Sequence, residues 1–402
     1  MKKILYLHIG CGKTGSSAIQ VWLANNAKKL AKLGVIYPLT HTGQLEKYAI
    51  TSGNGVPLYN AAKSGAVGSY LEPQLAGNNN VLFSTEAFQD LDENEIAEIQ
   101  TAAKNNEYSI QIIAYVRDVY DMAYSSYLQL IKRNGYARTF KEFALSNKTL
   151  QQFEVIFKFQ KIFDNISVFH YDSEKEIGLE KSFSDAMGIH SLKIPPMEHT
   201  KVNRSLTIME SELMRYANGK YTEMTGESSS EFSRLVSDSI IYRQPEKETQ
   251  ILLDQDALNY LNEKMAPLVE EINRKYFSDS RLKTFSKTGK NIVSKIPPIP
   301  SEFETLIGIM IQLSGKSRVK PEDAFKVITT SPAAEDAKIK NQTVQYLLKS
   351  ALAMESSEIE NAHALVRAAV TLRPNGPILI KKLNEYKLIL EKNGVEKASE
   401  SS

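Results

Sequence analysis

Apolar residues in the first 170 positions form short unbroken runs that alternate with longer stretches of helical spacing. Ile4 to Ile9, Asn80 to Glu86, Ile110 to Val116 and Ile166 to Tyr171 read as strands buried on both faces, and Val35 to Pro38 as a short strand or turn. Between them, Ala18, Ile19, Trp22, Leu23, Leu30 and Leu33 recur at helical intervals up to Gly34. Further helices are predicted over Asn94–Asn105, Tyr120–Lys132, the helix-rich stretch Thr139–Phe163, and Glu174–Met187. Strands alternating with helices predict an α/β fold with a parallel sheet flanked by helices. Ligands of such sheets gather outside the carboxyl ends of the strands.

The pattern weakens between Leu39 and Asn80, where glycines are frequent. The expectation there is an irregular segment, either facing an acceptor through His41 and the turn Thr51–Gly55 or lying on the surface as a loop. Later, Thr207 and Glu210 stand at capping-box spacing, and helical patterns cover Leu213–Ala217, Phe232–Tyr242 and Ala257–Phe277, the last interrupted at Pro267. Residues 278–301, with Lys283, Lys287, Lys290, Lys295 and the Pro297-Pro298-Ile299-Pro300 cluster, read as a basic, proline-rich linker. From 302 to 395 every segment looks helical: 303–313, 321–329, 337–354, 359–372 and 378–390. The expected organisation is an α/β domain over 1–277, the linker, and a small all-helical C-terminal domain suited to packing, docking or oligomer formation.

Composition narrows the function classes. Apolar residues make up 42% of the 402, enough for a sizeable core. The 49 basic and 47 acidic residues leave a net charge of +2, which argues against a bulk nucleic-acid binder but leaves room for a local basic pocket. A single cysteine, Cys11, rules out an internal disulfide framework and fits a reducing compartment. It has no histidine-and-amide constellation around it to make it a nucleophile. No apolar run is long enough to span a membrane, so the expected location is cytoplasmic, with peripheral membrane association open.

The chemistry concentrates after the first strand, in Gly10-Cys11-Gly12-Lys13-Thr14-Gly15-Ser16-Ser17. A strand, a glycine loop and a helix start turn backbone N–H groups and the positive end of a helix dipole toward an anion. Lys13 can add a charge, and Thr14, Ser16 and Ser17 can add hydroxyl donors. The common nucleotide loop would need a glycine where Leu7 stands. A second cluster follows the third long strand: Arg117 at its end, and Ser125 eight residues later in a helix. Arginine supplies a forked charged donor and serine a hydroxyl, a pair able to converge on one phosphate. The alternative is that Arg117 pairs with Asp118 or Asp121 while Ser125 is merely exposed.

Together the two stretches resemble the 5′-phosphosulfate loop, G-x-x-K-T-G-[ST]-[ST], and the 3′-phosphate Arg/Ser motif of sulfotransferases, over roughly residues 2–277. The resemblance implies a P-loop-like fold and a metal-free reaction. In it, 3′-phosphoadenosine 5′-phosphosulfate donates a sulfuryl group and adenosine 3′,5′-bisphosphate leaves. Its character is that of bacterial, carbohydrate-modifying members. That points to an acceptor hydroxyl on a capsule, lipopolysaccharide or exopolysaccharide precursor. Gly10, Gly12, Lys13, Thr14, Gly15, Ser16, Ser17, Arg117 and Ser125 become donor-binding candidates, with Asn203 and Arg204 added from a late Asn-Arg-Ser-Leu stretch. Lys13 would be catalytic and Glu86 the general base, ahead of His8 and His41; His8 lies within a strand and reads as a core histidine. The rivals are a nucleotide-dependent kinase or NTPase and a non-catalytic carbohydrate-binding or scaffold protein with a degenerate site.

Overall fold

A computed structural model describes residues 3–39, 52–146, 151–189, 193–197, 204–243, 250–278, 281–287, 290–296, 359–400 and scattered positions between 307 and 355. It divides into two compact units, the first drawn from 1–129, 138–205 and 244–295 and the second from 130–137, 206–243 and 296–402.

The first unit is built on five parallel strands: β1 (Lys3–Ile9), β2 (Val35–Ile36), β3 (Asn80–Thr85), β4 (Tyr108–Val116) and β5 (Ile166–His170), in the order β2-β3-β1-β4-β5. Leu5 pairs with Val81, His8 with Ile113, and Val116 with His170. Helices cover both faces, which is why β1 carries an apolar run rather than an alternation. On one face Tyr6, Ile113 and Tyr115 pack with Ile19, Trp22 and Leu23 of α1 (Ser16–Asn25) and with Leu179 and Phe183 of α10 (Leu179–Ala186). His8 lies on this face, fully buried, with Nδ1 2.8 Å from Ser84 Oγ and its ring edge-on to Phe183. Burial pushes its pKa down to about 3, so it is a neutral core residue.

Because β3 reaches β4 by crossing β1, the chain leaves β1 and β4 in opposite directions. The crevice that this reversal opens lies at the carboxyl ends of these adjacent strands.

The helix predicted over Ala18–Leu33 breaks at Asn26 into α1 and α2 (Ala27–Lys32), where the Asn26 side chain donates to the Trp22 carbonyl (2.9 Å). The stretch expected to be irregular holds α3 (Val56–Lys63) and α4 (Val67–Leu75). Leu58, Ala61 and Ala62, then Val67, Leu71 and Leu75, form their buried stripes. Pro57 sits harmlessly in the first turn of α3, and Pro73 lies inside α4, so punctuation residues concealed the period. His41 and Thr51 lie outside the described residues. α13 (Gln255–Tyr276) runs on through Pro267, its buried residues Ala257, Leu261, Met265, Val269 and Ile272 holding it against the core.

The turn at 52–55 acts as a substitute strand. β2 pairs only with the start of β3, and beyond Val81 the open edge is taken by Asn54 and Gly55. Asn54 Nδ2 donates to the Leu82 carbonyl (2.9 Å), its Oδ1 accepts from Ser84 N (2.8 Å), and Gly55 N donates to the Ser84 carbonyl (3.0 Å).

The basic stretch expected as a linker belongs to the first unit through 295. Its carbonyls at Lys283 and Thr284 accept from Val119 N (3.2 Å) and Tyr120 N (2.8 Å), the first amides of α6 (Val119–Asn134). Lys290 Nζ reaches the buried Asp121 Oδ2 (2.6 Å). β7 (Asn291–Val293) pairs in parallel with β6 (Gln250–Leu252).

In the second unit, α11 (Ile208–Thr225) starts on the expected capping box of Thr207 and Glu210, and α12 (Ser230–Arg243) follows it. α14 (Ile359–Leu372) and α15 (Pro377–Glu400) pack through Leu365, Val366, Ala369, Leu372, Leu379 and Tyr386. Of the earlier tail helices, 321–329 lies outside the described residues.

Candidate functional site: the carboxyl edge of β1, β3, β4 and β5

The loop after β1 is tied to β3 by Gly10 N donating to the Thr85 carbonyl (3.3 Å). It then turns through two left-handed residues, Lys13 (φ 66) and Gly15 (φ 81). That conformation costs a non-glycine residue ~1–2 kcal/mol, a strain characteristic of functional loops. Gly15 also has no room for a side chain: a Cβ would stand 2.8 Å from the Tyr171 ring and 2.9 Å from Leu179 Cδ1. Gly10 is equally confined, with Ser16 Oγ at 2.7 Å and Glu86 Cγ at 2.9 Å from such an atom. Gly12 is not, since nothing lies within 4 Å.

The hydroxyls divide. Thr14 is fully buried and donates Oγ1 to the Cys11 carbonyl, so its hydroxyl shapes the loop instead of facing outward as expected. Ser16 Oγ is buried without a hydrogen bond of good geometry, and Ser17 is exposed. α1, which starts here, has no side-chain cap and no acid among its own first-turn residues; the carboxyl nearest its start is that of Glu86. α6 contrasts with it, because carbonyls already occupy its first amides.

Glu86 opens the 3₁₀ turn after β3 (Glu86–Asp90) and lies against the loop. Burial raises the pKa of its carboxyl, and the Lys13 charge and the Ser16 hydroxyl hold it partly back. Lys13 and Glu86, the expected catalytic pair, are therefore brought together. Cys11 lies beneath them, 1% exposed, its thiol pushed up to about 12 by burial and by Glu86. It has no thiolate character at neutral pH.

Arg117 follows β4 and is paired with neither Asp118 nor Asp121. Its Nε donates to both oxygens of Asp172 (3.1 Å each), and its guanidinium lies 5.2 Å from the centre of the Tyr171 ring. The peptide of Arg117 is clasped by the side chain of buried Gln152, which accepts from Arg117 N (3.0 Å) and donates to its carbonyl (2.9 Å). Two residues thus join the clusters. Tyr171 touches Gly15 on one side and Arg117 on the other, and the Gln152 carbonyl accepts from Cys11 Sγ (3.9 Å).

Ser125 is half-buried on α6, one turn beyond Asp121, and makes no hydrogen bond to Arg117. Arg204 is buried, with Nη1 donating to the Ser205 carbonyl (2.9 Å), and Asn203 lies outside the described residues.

Sequence reasoning missed Gln152, Tyr171 and Asp172. The last two immediately follow β5, so the strand-end rule that singled out Glu86 and Arg117 would have found them. Gln152 sits inside α8 (Gln152–Gln160) and carried no signal. Among the described residues no helix is long and apolar enough to cross a membrane. Compared with known proteins, the chain matches no family model and no curated protein.

Proposed function

We propose that the chain is a sulfotransferase moving a sulfuryl group from 3′-phosphoadenosine 5′-phosphosulfate to an acceptor hydroxyl, on a P-loop-like α/β unit. The observation that carries this reading is the strained, lysine-bearing loop after β1 joined to Arg117 after the adjacent β4 through Tyr171 and Gln152. Two anion-binding elements at neighbouring strand ends suit a nucleotide phosphorylated at both its 5′ and 3′ positions. In the reaction the acceptor oxygen bonds to sulfur and the bond from sulfur to the bridging oxygen breaks. The acceptor proton passes to Glu86, and adenosine 3′,5′-bisphosphate leaves. Lys13 and the amides of Gly12 to Ser17 stabilise charge growing on the bridging oxygen. Arg117, Ser125 and Arg204, with Asn203, serve the 3′-phosphate side. The acceptor is a carbohydrate hydroxyl in a cytoplasmic envelope precursor, and the helical C-terminal region is the docking or oligomer-forming part.

The test is calorimetry with adenosine 3′,5′-bisphosphate, followed by transfer from radiolabelled donor to a cell-envelope extract. Binding with a labelled saccharide product supports the reading. Absence of binding favours a scaffold, and metal-dependent phosphate release from ATP favours a kinase or NTPase. Arg117→Ala is expected to weaken nucleotide binding by roughly 1.5–3 kcal/mol, the worth of a charged hydrogen bond, with little loss of turnover at saturation. The same calorimetry measures it.

A general base works only when deprotonated. Turnover should therefore rise with pH through the elevated pKa of Glu86, placing the acid limb above the usual 4.5. Glu86→Gln should lower turnover by ~10²–10⁴ and remove that limb. Identical pH–rate profiles would exclude Glu86 as the base. A carboxyl whose pKa is raised by folding is most stabilising below its unfolded value and loses that contribution as pH climbs through its folded value. The glutamine variant should accordingly melt above the wild type at pH 7.

A further inference from the structure

Beside the nucleotide elements lies a cluster that the proposed reaction does not use. Asp118 at the end of β4, His170 at the end of β5 and Asp172 at the start of α9 (Tyr171–Ile177) each offer an atom within 4.8 Å of the other two. We propose that these three side chains form a binding site for a divalent transition ion of the Zn²⁺/Mn²⁺ class.

The geometry suits shared coordination. His170 Nε2 and Asp118 Oδ1 are 3.2 Å apart. Ligands held about 2.0–2.2 Å from one ion stand roughly 3–3.5 Å from each other when adjacent.

The independent observation is His170 itself. Its side chain is only 9% exposed, yet Nε2 makes no hydrogen bond even with Asp118 so near. A buried ring nitrogen whose nearest carboxylate, at 3.2 Å, stands out of line for a hydrogen bond is poorly satisfied, and an ion between it and the carboxylates would satisfy it.

Each ligand is also held from behind, as metal ligands are. His170 Nδ1 lies 3.0 Å from Ser173 Oγ, which fixes the ring. Asp118 Oδ1 accepts from Lys283 N (2.8 Å), and Asp172 accepts from Arg117 Nε. Each carboxylate keeps lone pairs beyond these bonds.

The electrostatics agree. Asp121, 1% exposed, adds a third carboxylate nearby, and its Oδ1 has no hydrogen-bond partner. Arg117 and Lys290 stand against these three acids. One imidazole with two carboxylates selects a borderline ion over Mg²⁺ or Ca²⁺, which take oxygen ligands. Asp172, 28% exposed, provides the open side. The site adjoins the proposed nucleotide site, since Asp172 accepts from Arg117 Nε, but requires no step of the sulfuryl transfer.

The test uses the full chain, freed of metal by dialysis against chelator and titrated calorimetrically with ZnCl₂ and with MnCl₂. Expected are one equivalent bound and a raised melting temperature, with CaCl₂ and MgCl₂ inert at the same concentrations. His170→Ala and Asp172→Asn should each weaken Zn²⁺ binding at least ~10-fold. Asp172 is the more exposed residue, so its variant decides the matter if His170→Ala does not fold. Absence of saturable binding, or binding unchanged in Asp172→Asn, would overturn the assignment.

Discussion

Lys13→Ala is expected to reduce sulfuryl transfer by ~10²–10³ while leaving the fold intact, the usual cost of removing one preorganised donor from a developing charge. The backbone there is already left-handed, a strain that alanine shares with lysine, so the exchange removes the ammonium without a new backbone penalty. Two companions separate charge from conformation. Lys13→Gly should relieve the strain and raise the melting temperature, yet be as inactive as the alanine variant. Lys13→Arg should restore part of the rate. Removing the ammonium also takes away a charge that holds the Glu86 pKa down, so residual activity should have its acid limb at higher pH. Full turnover in Lys13→Ala, measured with radiolabelled donor, would sink the mechanism.

The largest stability effect is expected at Gly53. Its φ is +80, and an added Cβ would overlap the Ser84 carbonyl oxygen, the group that accepts from Gly55 N. Left-handed strain and overpacking against backbone together should cost Gly53→Ala roughly 2–5 kcal/mol. The corresponding fall in melting temperature is on the order of 10 °C. Gly65 is the internal control. Its φ is +68 but nothing lies within 4 Å, so Gly65→Ala should cost only ~1–2 kcal/mol. Equal losses for the two variants in urea unfolding would mean that the 52–55 turn does not hold the edge of β3.

The long strands were legible because burial on both faces writes a short unbroken apolar run. The loop after β1 was legible as a turn because glycines cluster where the apolar run ends. Elements that owe their form to distant partners were not. Asn54 is an ordinary turn residue in sequence, and its role as a missing strand exists only once β2 has proved too short to cover β3. The lysine-rich stretch before 295 reads as solvated because its pairing is with a helix start some 165 residues earlier. Arg117 was found, but its partner was not. Neighbouring acids made Asp118 and Asp121 the obvious choices, while the pairing of Val116 with His170 placed Asp172, just past the end of the next strand, beside it.

The carbonyls of Lys283 and Thr284 on the opening amides of α6 carry a practical consequence. Shortening the polypeptide before residue 283, as the domain end expected at 277 invites, would unsheathe the helix that begins two residues after Arg117. It would also leave Asp121 inside the protein without its lysine. A minimal fragment of the α/β unit must therefore extend to at least Lys290, and trimming by protease should stop beyond that residue when the helix is intact.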